Sequence, residues 1–225
     1  MHVLDNPAWS ALTGTQAGLA ERHGRSARYR PDVSPFAAVD DPADPAAWHD
    51  LAALATSGYQ PLLAAPGLTA APGWTRAGGT PGVQLVGAGV RGAADPEAVV
   101  LTAADLPEML DLAALTRPGP FGRRTPELGT YLGIRRGGQL VAMAGERMRP
   151  AGHTEISAVC TDPAYRGAGL ASRLIAAVVA GIRARDEVPF LHAADANTGA
   201  VRLYAELGFT VRTPIVFGAY RPTPL

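Results

Sequence analysis

The chain has 225 residues, of which 47% are apolar and 18% are charged, a composition typical of a globular protein and not of a disordered or collagen-like chain. Its 20 basic and 20 acidic side chains cancel, so bulk charge does not favour binding to nucleic acid or to anionic lipid. All the basic residues are arginine. Without lysine, the chain can have neither a Schiff-base lysine nor a Walker A phosphate loop.

The sequence gives no indication of a targeting segment or a metal site. The N-terminus has no basic segment followed by an apolar core, so no secretory signal is predicted. The longest apolar run, 174–182, is far shorter than the about 20 residues that a membrane-spanning helix needs. We therefore predict a cytoplasmic protein that binds neither membrane nor nucleic acid. Cys160 is the only cysteine, and no cluster of histidine and acidic residues has the spacing of a metal site.

In the first part of the chain, residues 1–97, proline and glycine interrupt short apolar segments. These segments predict strands and a helix, and the glycine-rich stretch between them predicts a loop. The predicted strands are 35–39, 60–65 and 84–90, the helix is 45–55, and the loop is 70–82.

The second part, residues 98–225, has stronger periodicity, and Thr102 is a predicted N-cap. The predicted helices are 103–115, 167–185 and 197–207. The predicted strands are 98–101, 131–135, 139–148, 154–161, 189–193 and 209–220, the last interrupted at Pro214. This order predicts an α/β fold with hairpins and hence a mixed sheet.

A glycine-rich segment, Arg166 to Ala171, lies between a predicted strand and the long predicted helix. Glycines at a helix start leave backbone N–H groups uncovered, and the helix dipole adds positive potential, so the segment suits a pyrophosphate. Arg166 adds a cation beside it. The dinucleotide-binding pattern Gly-x-Gly-x-x-Gly is incomplete, because Ser172 stands at its last position, which disfavours a Rossmann domain.

This segment resembles the acyl-CoA loop of the Gcn5-related N-acetyltransferases (GNAT), whose pattern is Arg or Gln-x-x-Gly-x-Gly or Ala. Arg166, Gly169 and Ala171 match it, and the preceding residues 159–163 resemble the strand end and Asp-Pro turn of that family.

A second signature of the same family follows at the expected separation. It is an Asn-x-x-Ala-x-x-x-Tyr-x-x-Leu-Gly-Phe pattern, matched by Asn197, Ala200, Tyr204 and 207–209. The resemblance covers residues 98–220 and is greatest for the FR47-like subgroup. It implies a catalytic GNAT domain at 98–225, with the mixed, mostly antiparallel sheet flanked by helices that is typical of the GNAT fold. For 1–97 we predict an α/β region that is a degenerate half-copy of the same fold and shapes the acceptor pocket.

The resemblance implies an acyl-CoA-dependent N-acyltransferase, with acetyl-CoA as co-substrate and a primary amine as acceptor. The amine attacks the thioester directly in a ternary complex, so no covalent enzyme intermediate is needed. The expected acceptor is a small-molecule amine or an amino-acid-like compound, and the sequence is compatible with a homodimer. Two alternatives remain open at this point: a catalytically silent acyl-CoA sensor, and a transferase that acts on proteins or peptides.

The resemblance also implies where the co-substrate binds. The strand end pairs with pantetheine as a neighbouring strand does, the loop amides hold the pyrophosphate, and Asn197 contacts the pantetheine arm. The residues expected to bind acyl-CoA are Val159, Cys160, Thr161, Arg166, Gly167, Ala168, Gly169, Leu170, Ala171 and Asn197.

For catalysis the resemblance implies Tyr204 as the general acid that protonates the departing thiolate. Glu155, eleven residues before Arg166, matches the spacing of the catalytic glutamate of some members. Along a regular strand Glu155 shares a face with 157, 159 and 161, and burial would raise its pKa. His192 and a water molecule are the alternative bases.

Three arginines lie on the predicted loop after the helix that Thr102 caps. Arg117, Arg123 and Arg124 either bind an acceptor carboxylate or belong to a solvated loop.

Overall fold

The computed structural model describes residues 2–55 and 59–223, and over these residues it contains five α-helices and eleven β-strands. The helices are α1 (Pro7–Thr13), α2 (Pro45–Leu54), α3 (Leu106–Thr116), α4 (Leu170–Arg183) and α5 (Thr198–Glu206). The strands are β1 (Ala20–His23), β2 (Ser26–Tyr29), β3 (Ala37–Val39), β4 (Leu62–Ala65), β5 (Trp74–Val86), β6 (Val99–Val100), β7 (Tyr131–Arg136), β8 (Gln139–Glu146), β9 (His153–Thr161), β10 (Val188–Ala194) and β11 (Thr210–Pro222).

The principal sheet has eight strands in the order β4-β11-β5-β10-β9-β8-β7-β6. All neighbouring strands are antiparallel except β9 and β10, which are parallel. This confirms the predicted mixed, mostly antiparallel sheet. The three strands β1, β2 and β3 form a separate small sheet.

Helices cover both faces of the principal sheet. The helix α4 presents an apolar stripe that includes Leu174, Val178 and Ile182, all of which are buried against β7 to β10. On the opposite face, α3 packs against β8 and β9 through Met109 and Leu112. The strands β8 and β9 therefore lie between these two helices, so β9, which carries part of the predicted site, is fixed from both sides.

The principal sheet includes strands from both predicted regions of the chain. The strands β4 and β5 precede residue 97, yet β5 lies between β11 and β10, in the middle of the sheet order. The division at residue 97 therefore does not separate two sheets. That residues 1–97 form a domain of their own, and that they descend from a half-copy of the fold, stay predictions.

The predicted loop at 70–82 is wrong, because β5 begins at Trp74. Residues 75–81 are exposed, so they lack the alternation of buried and exposed side chains that indicates a strand in a sequence. Their backbone nevertheless pairs with β11, whose own Pro214 pairs with Val83 and does not interrupt the strand as predicted. Backbone pairing with a distant segment, and not local composition, makes this region a strand.

No helix among residues 2–55 and 59–223 is both long and apolar enough to cross a membrane.

Candidate active site

The site begins where β9 and β10 separate. The two strands pair only over 153–156 and 188–191. Beyond this point β10 continues beside β5, whereas β9 continues beside β8. The last part of β9 thus has a backbone edge that faces away from β8 and is not paired with β10.

A β-bulge in β9 lies at this separation. Ser157 and Cys160 face Gly145 and Met143 of β8, so β9 has one residue more than its partner over this interval. Ala158, within the bulge, has a φ of 52°, a left-handed conformation that alanine rarely adopts.

The bulge reverses the alternation of side chains along β9. Val159 packs with Ile156 against the core beneath α4, and so lies on the opposite face from Glu155 and Ser157. The prediction that Glu155 and Val159 share a face is therefore wrong, because the extra residue shifts the two-residue period by one.

A cleft of about 580 Å³ follows the open edge of β9. It brings together the strand end, the glycine-rich loop and α5. Nine of the ten residues predicted to bind acyl-CoA line it, and Ala168 is the exception. Their meeting in one cleft fits the predicted role, which stays a prediction.

The glycine-rich loop presents uncovered amides to this cleft. Gly167 and Gly169 have φ angles of 79° and 71°, and a Cβ built on either would meet open space. Within the described chain, the backbone N–H groups of 167–171 have no hydrogen-bond acceptor. These amides lie at the positive end of α4, where a phosphate is stabilised. Arg166 anchors the loop by donating from Nε to the Thr161 carbonyl (3.3 Å).

Asn197 caps α5 beside this loop. Its Oδ1 accepts a hydrogen bond from the Ala200 backbone N–H at 3.2 Å. This bond fixes the orientation of the side-chain amide, and it leaves Nδ2 to donate to a ligand. Asn197 lines the cleft, as the predicted contact with pantetheine requires.

Tyr204 lies on α5 and lines two clefts, the one just described and a second beside it. Burial raises the pKa of Tyr204 to about 12. Its hydroxyl makes no hydrogen bond with any residue that the structure describes. The phenol is therefore protonated at neutral pH and keeps its proton available for donation.

The second cleft has a volume of about 380 Å³ and shares Val159, Asn197 and Tyr204 with the first. Residues from several distant segments, including the N-terminal region, also line it, among them Phe36, Leu62, Thr80, Arg147, His192 and Phe217. The contact of the two clefts at Tyr204 lets one molecule in each approach the same phenol.

Glu155 is fully buried and does not line either cleft. Its carboxylate accepts hydrogen bonds from Arg147 Nη2 (2.5 Å) and Nε (2.8 Å), from His192 Nδ1 (2.7 Å) and from the Met148 backbone N–H (3.3 Å). Burial alone would raise the pKa of Glu155, but Arg147 and His192 outweigh it and hold the pKa far below its usual range. The predicted rise of this pKa is thus wrong, because the hydrogen bonds and charge of these two partners stabilise the carboxylate more than burial destabilises it.

The tautomer of His192 follows from its neighbours. Gln84 donates from Nε2 to the Leu4 carbonyl (2.9 Å), and its Oε1 accepts from Arg212 (2.9 Å), so the orientation of its amide is fixed. The same Nε2 lies 2.9 Å from His192 Nε2, which must therefore accept. Hence His192 carries its proton on Nδ1 and donates it to Glu155.

Sequence reasoning missed Gln84 and Arg147. Both are buried, Gln84 within the apolar run of β5 and Arg147 directly after the end of β8. A polar residue within an apolar strand is a signal for a buried hydrogen-bond network, and Gln84 within the run Val83 to Val86 carried that signal.

Cys160 lines the first cleft, and burial raises the pKa of its thiol. Such a thiol stays protonated and is a poor nucleophile. Within the described part of the chain, no three histidine, cysteine, aspartate or glutamate residues are grouped so that they can hold a metal ion.

The three loop arginines have different surroundings. Arg124 forms ion pairs with Asp32 (3.0 Å) and Glu127 (2.6 Å). Arg117 lines both clefts, whereas Arg123 lines neither.

Known proteins share this fold. The sequence model of the FR47-like protein family matches residues 131–217. A protein of Novosphingobium aromaticivorans DSM 12444, assigned to the acetyltransferases of the GNAT family, is 40% identical over 100% of both chains, with a TM-score of 0.91. The present chain therefore belongs to the GNAT family, and the class of reaction is acyl transfer.

Two more distant structures share the fold. A GCN5-related N-acetyltransferase from Kribbella flavida has a TM-score of 0.64 at 19% identity, covering 94% of this chain and 95% of its own. A GCN5-related N-acetyltransferase-like protein from Streptococcus suis 89/1591 has a TM-score of 0.56 at 15% identity, covering 96% and 92%. A search of curated proteins found no match.

Proposed function

We propose that the protein transfers the acetyl group of acetyl-CoA to a primary amine by direct attack in a ternary complex. The observation that carries this proposal is the contact of two clefts at a single buried phenol, Tyr204. The first cleft has the donors for a pyrophosphate, and the second is closed by apolar and cationic side chains.

The co-substrate fits the first cleft on three grounds. The uncovered amides of 167–171 suit the pyrophosphate, because several N–H donors converge at a helix N-terminus. The open backbone edge of β9 after Ile156 suits the pantetheine amides, which can pair with it as a strand would. Asn197 caps α5 through Oδ1, so its Nδ2 can donate a hydrogen bond to the pantetheine arm.

In the reaction, the lone pair of the amine nitrogen forms a bond to the thioester carbonyl carbon. As the resulting tetrahedral intermediate collapses, the carbon–sulfur bond breaks and the electron pair leaves with sulfur. Tyr204 donates its proton to that sulfur and regains one from solvent. The raised pKa of about 12 keeps Tyr204 in the acid form that this step requires.

The proton of the acceptor amine goes to water. Glu155 is saturated by four donors, and Nε2 of His192 accepts from Gln84, so neither has a free lone pair directed at an acceptor in this arrangement. Glu155 instead acts as a positioning residue that orients Arg147 and His192, both of which line the second cleft.

Calorimetry with acetyl-CoA tests the assignment of the first cleft. Gly169→Glu places a carboxylate among the amides that would hold the pyrophosphate, so we expect binding to fall below detection. Gly137→Glu is the matched control, since Gly137 also has a positive φ (57°) and open space around it, but lies in the turn between β7 and β8. Normal binding by Gly169→Glu would contradict the assignment, as would equal losses in both variants.

A silent acyl-CoA sensor and a peptide transferase predict different outcomes. The sensor would bind acetyl-CoA without releasing CoA in the presence of any amine, and the peptide transferase would prefer peptide N-termini or side chains to free amines. Thiol-release measurements with both kinds of acceptor separate the three functions.

A further inference from the structure

The second cleft is lined by two arginines, of which Arg147 is paired with the buried Glu155 and Arg117 has no ion-pair partner among the described residues. Among the described residues that line it are Arg117 and Arg147, and none is aspartate or glutamate. A polyamine or another polycation would therefore enter the cleft without a counter-charge. The lining instead favours an acceptor that itself carries a negative group.

Arg147 is the better buried of the two arginines, with only 9% of its side chain exposed. Its Nε and Nη2 donate to Glu155, and its planar group stacks over the Phe36 ring at 4.6 Å. Its Nη1 makes no hydrogen bond with any residue that the structure describes. A buried guanidinium that lines a cleft and keeps one unused nitrogen suits an anionic ligand.

Arg117 stands at the junction of the two clefts and is held there by the end of α3. It has a left-handed conformation (φ 51°, ψ 58°), and its backbone N–H donates to the Ala113 carbonyl at 2.8 Å. Its side chain forms neither an ion pair nor a hydrogen bond with any described residue, in contrast to Arg124. A non-glycine residue in this conformation is rare, and it often marks a functional position.

We infer that the acceptor is an amino acid, whose carboxylate binds Arg117 and the free nitrogen of Arg147 while its amine approaches Tyr204. This inference rests on the proposed function and specifies the acceptor for the second cleft. The apolar walls formed by Phe36, Leu62 and Phe217 suit an apolar side chain on that amino acid. The volume of about 380 Å³ lies near the lower end of the range for small-molecule sites, roughly 300–1,000 Å³.

The test compares amino acids with their own carboxamides on the wild-type protein. Alanine, leucine and phenylalanine are each measured against the corresponding amide, with spermidine as a polycation and a leucine-initiated tripeptide as a peptide acceptor. We expect kcat/KM to be roughly 10-fold to 100-fold higher for the acids, as the loss of a charge-assisted hydrogen bond predicts. The amine of each carboxamide is less basic than that of the amino acid, so a larger fraction of it is unprotonated and able to attack. This difference favours the amide, and a measured preference for the acid therefore underestimates the effect of the carboxylate.

An arginine variant links this preference to the second cleft. We expect Arg117→Gln to lower the ratio of kcat/KM for the acid to kcat/KM for its amide by roughly 10-fold. Arg123→Gln is the control, since Arg123 lies on the same loop and lines neither cleft. Equal use of acids and amides by the wild type, or a preference for spermidine or the tripeptide, would overturn the inference. So would an unchanged preference in Arg117→Gln.

Binding distinguishes failure of this inference from failure of the proposed function. The same acids and amides are titrated by calorimetry into the CoA-bound protein. Selective binding of the acids without turnover would support the inference and contradict the proposed transfer. Turnover of acids and amides alike would support the transfer and overturn the inference.

Discussion

At the scale of single residues, the chemistry depends on a phenol that the fold buries without giving it a partner. Tyr204 lies between the two clefts, and burial raises its pKa to about 12. A phenol with that pKa can give a proton to a thiolate and is itself scarcely ionised at the pH of the cell.

We predict that Tyr204→Phe lowers kcat by roughly 100-fold or more, because general-acid assistance is lost. The Kd for acetyl-CoA should stay unchanged in calorimetry. The wild type should keep its activity up to about pH 10, since the pKa of about 12 keeps the phenol protonated in that range. Tyr220→Phe is the control, because Tyr220 is also a buried phenol without a hydrogen-bond partner and lies outside both clefts. Equal rates for Tyr204→Phe and the wild type would exclude the acid role.

Residues that belong to a local motif could be predicted, and residues that act through distant partners could not. Asn197 and Tyr204 stand seven positions apart on one helix, so a sequence pattern captures both. Glu155 has the expected spacing too, but Arg147 and His192 decide its pKa, and only the folded sheet brings these three together. Gln84 reaches His192 from a strand more than a hundred residues away in sequence.

At the scale of secondary-structure elements, the bulge in β9 lies where this strand separates from β10 and begins to line the first cleft. The helix α4, the hairpin of β7 and β8, and α5 all follow from their periodicity and turn residues, and the structure confirms them within a few residues. The bulge has no such signal, because alanine and not glycine occupies the left-handed position at 158. The short elements α1, β1 and β2 were also missed, since each has too few residues for a period to emerge.

We predict that Ala158→Val destabilises the protein by about 1–2 kcal/mol, because a β-branched residue is strained at a φ of 52°. Ala158→Gly, which tolerates that conformation, should change the free energy of unfolding by less than about 1 kcal/mol. Urea denaturation measures both. A valine variant as stable as the wild type would show that β9 is not held in this bulge.

At the scale of the whole molecule, the two regions of the chain depend on one sheet. The strand β5 comes from the N-terminal region and pairs with β10 and β11 of the C-terminal region. Phe36, Leu62 and Thr80 of the N-terminal region also line the second cleft. The change in composition and periodicity near residue 97 could not reveal that the two regions share a sheet, because strand pairing joins residues that are distant in the sequence.

We predict that the fragment 98–225 alone neither folds nor binds acetyl-CoA, because without β5 the strands β10 and β11 lose the partner that joins them. Co-expression with the fragment 1–97 should restore acetyl-CoA binding. Circular dichroism and calorimetry on the separate and combined fragments measure this. A fragment 98–225 that folds and binds by itself would instead support the predicted domain at 98–225.

The stoichiometry of acetyl transfer by the wild-type protein decides whether the protein is an amino-acid acetyltransferase. Acetyl-CoA is incubated with an equimolar mixture of amino acids, free CoA is followed by thiol release, and the products are analysed by mass spectrometry. We expect CoA release that depends on the acceptor, with one N-acetylated amino acid formed for each CoA released. Binding of acetyl-CoA without acceptor-dependent CoA release, for these and for a panel of other amines, would contradict it.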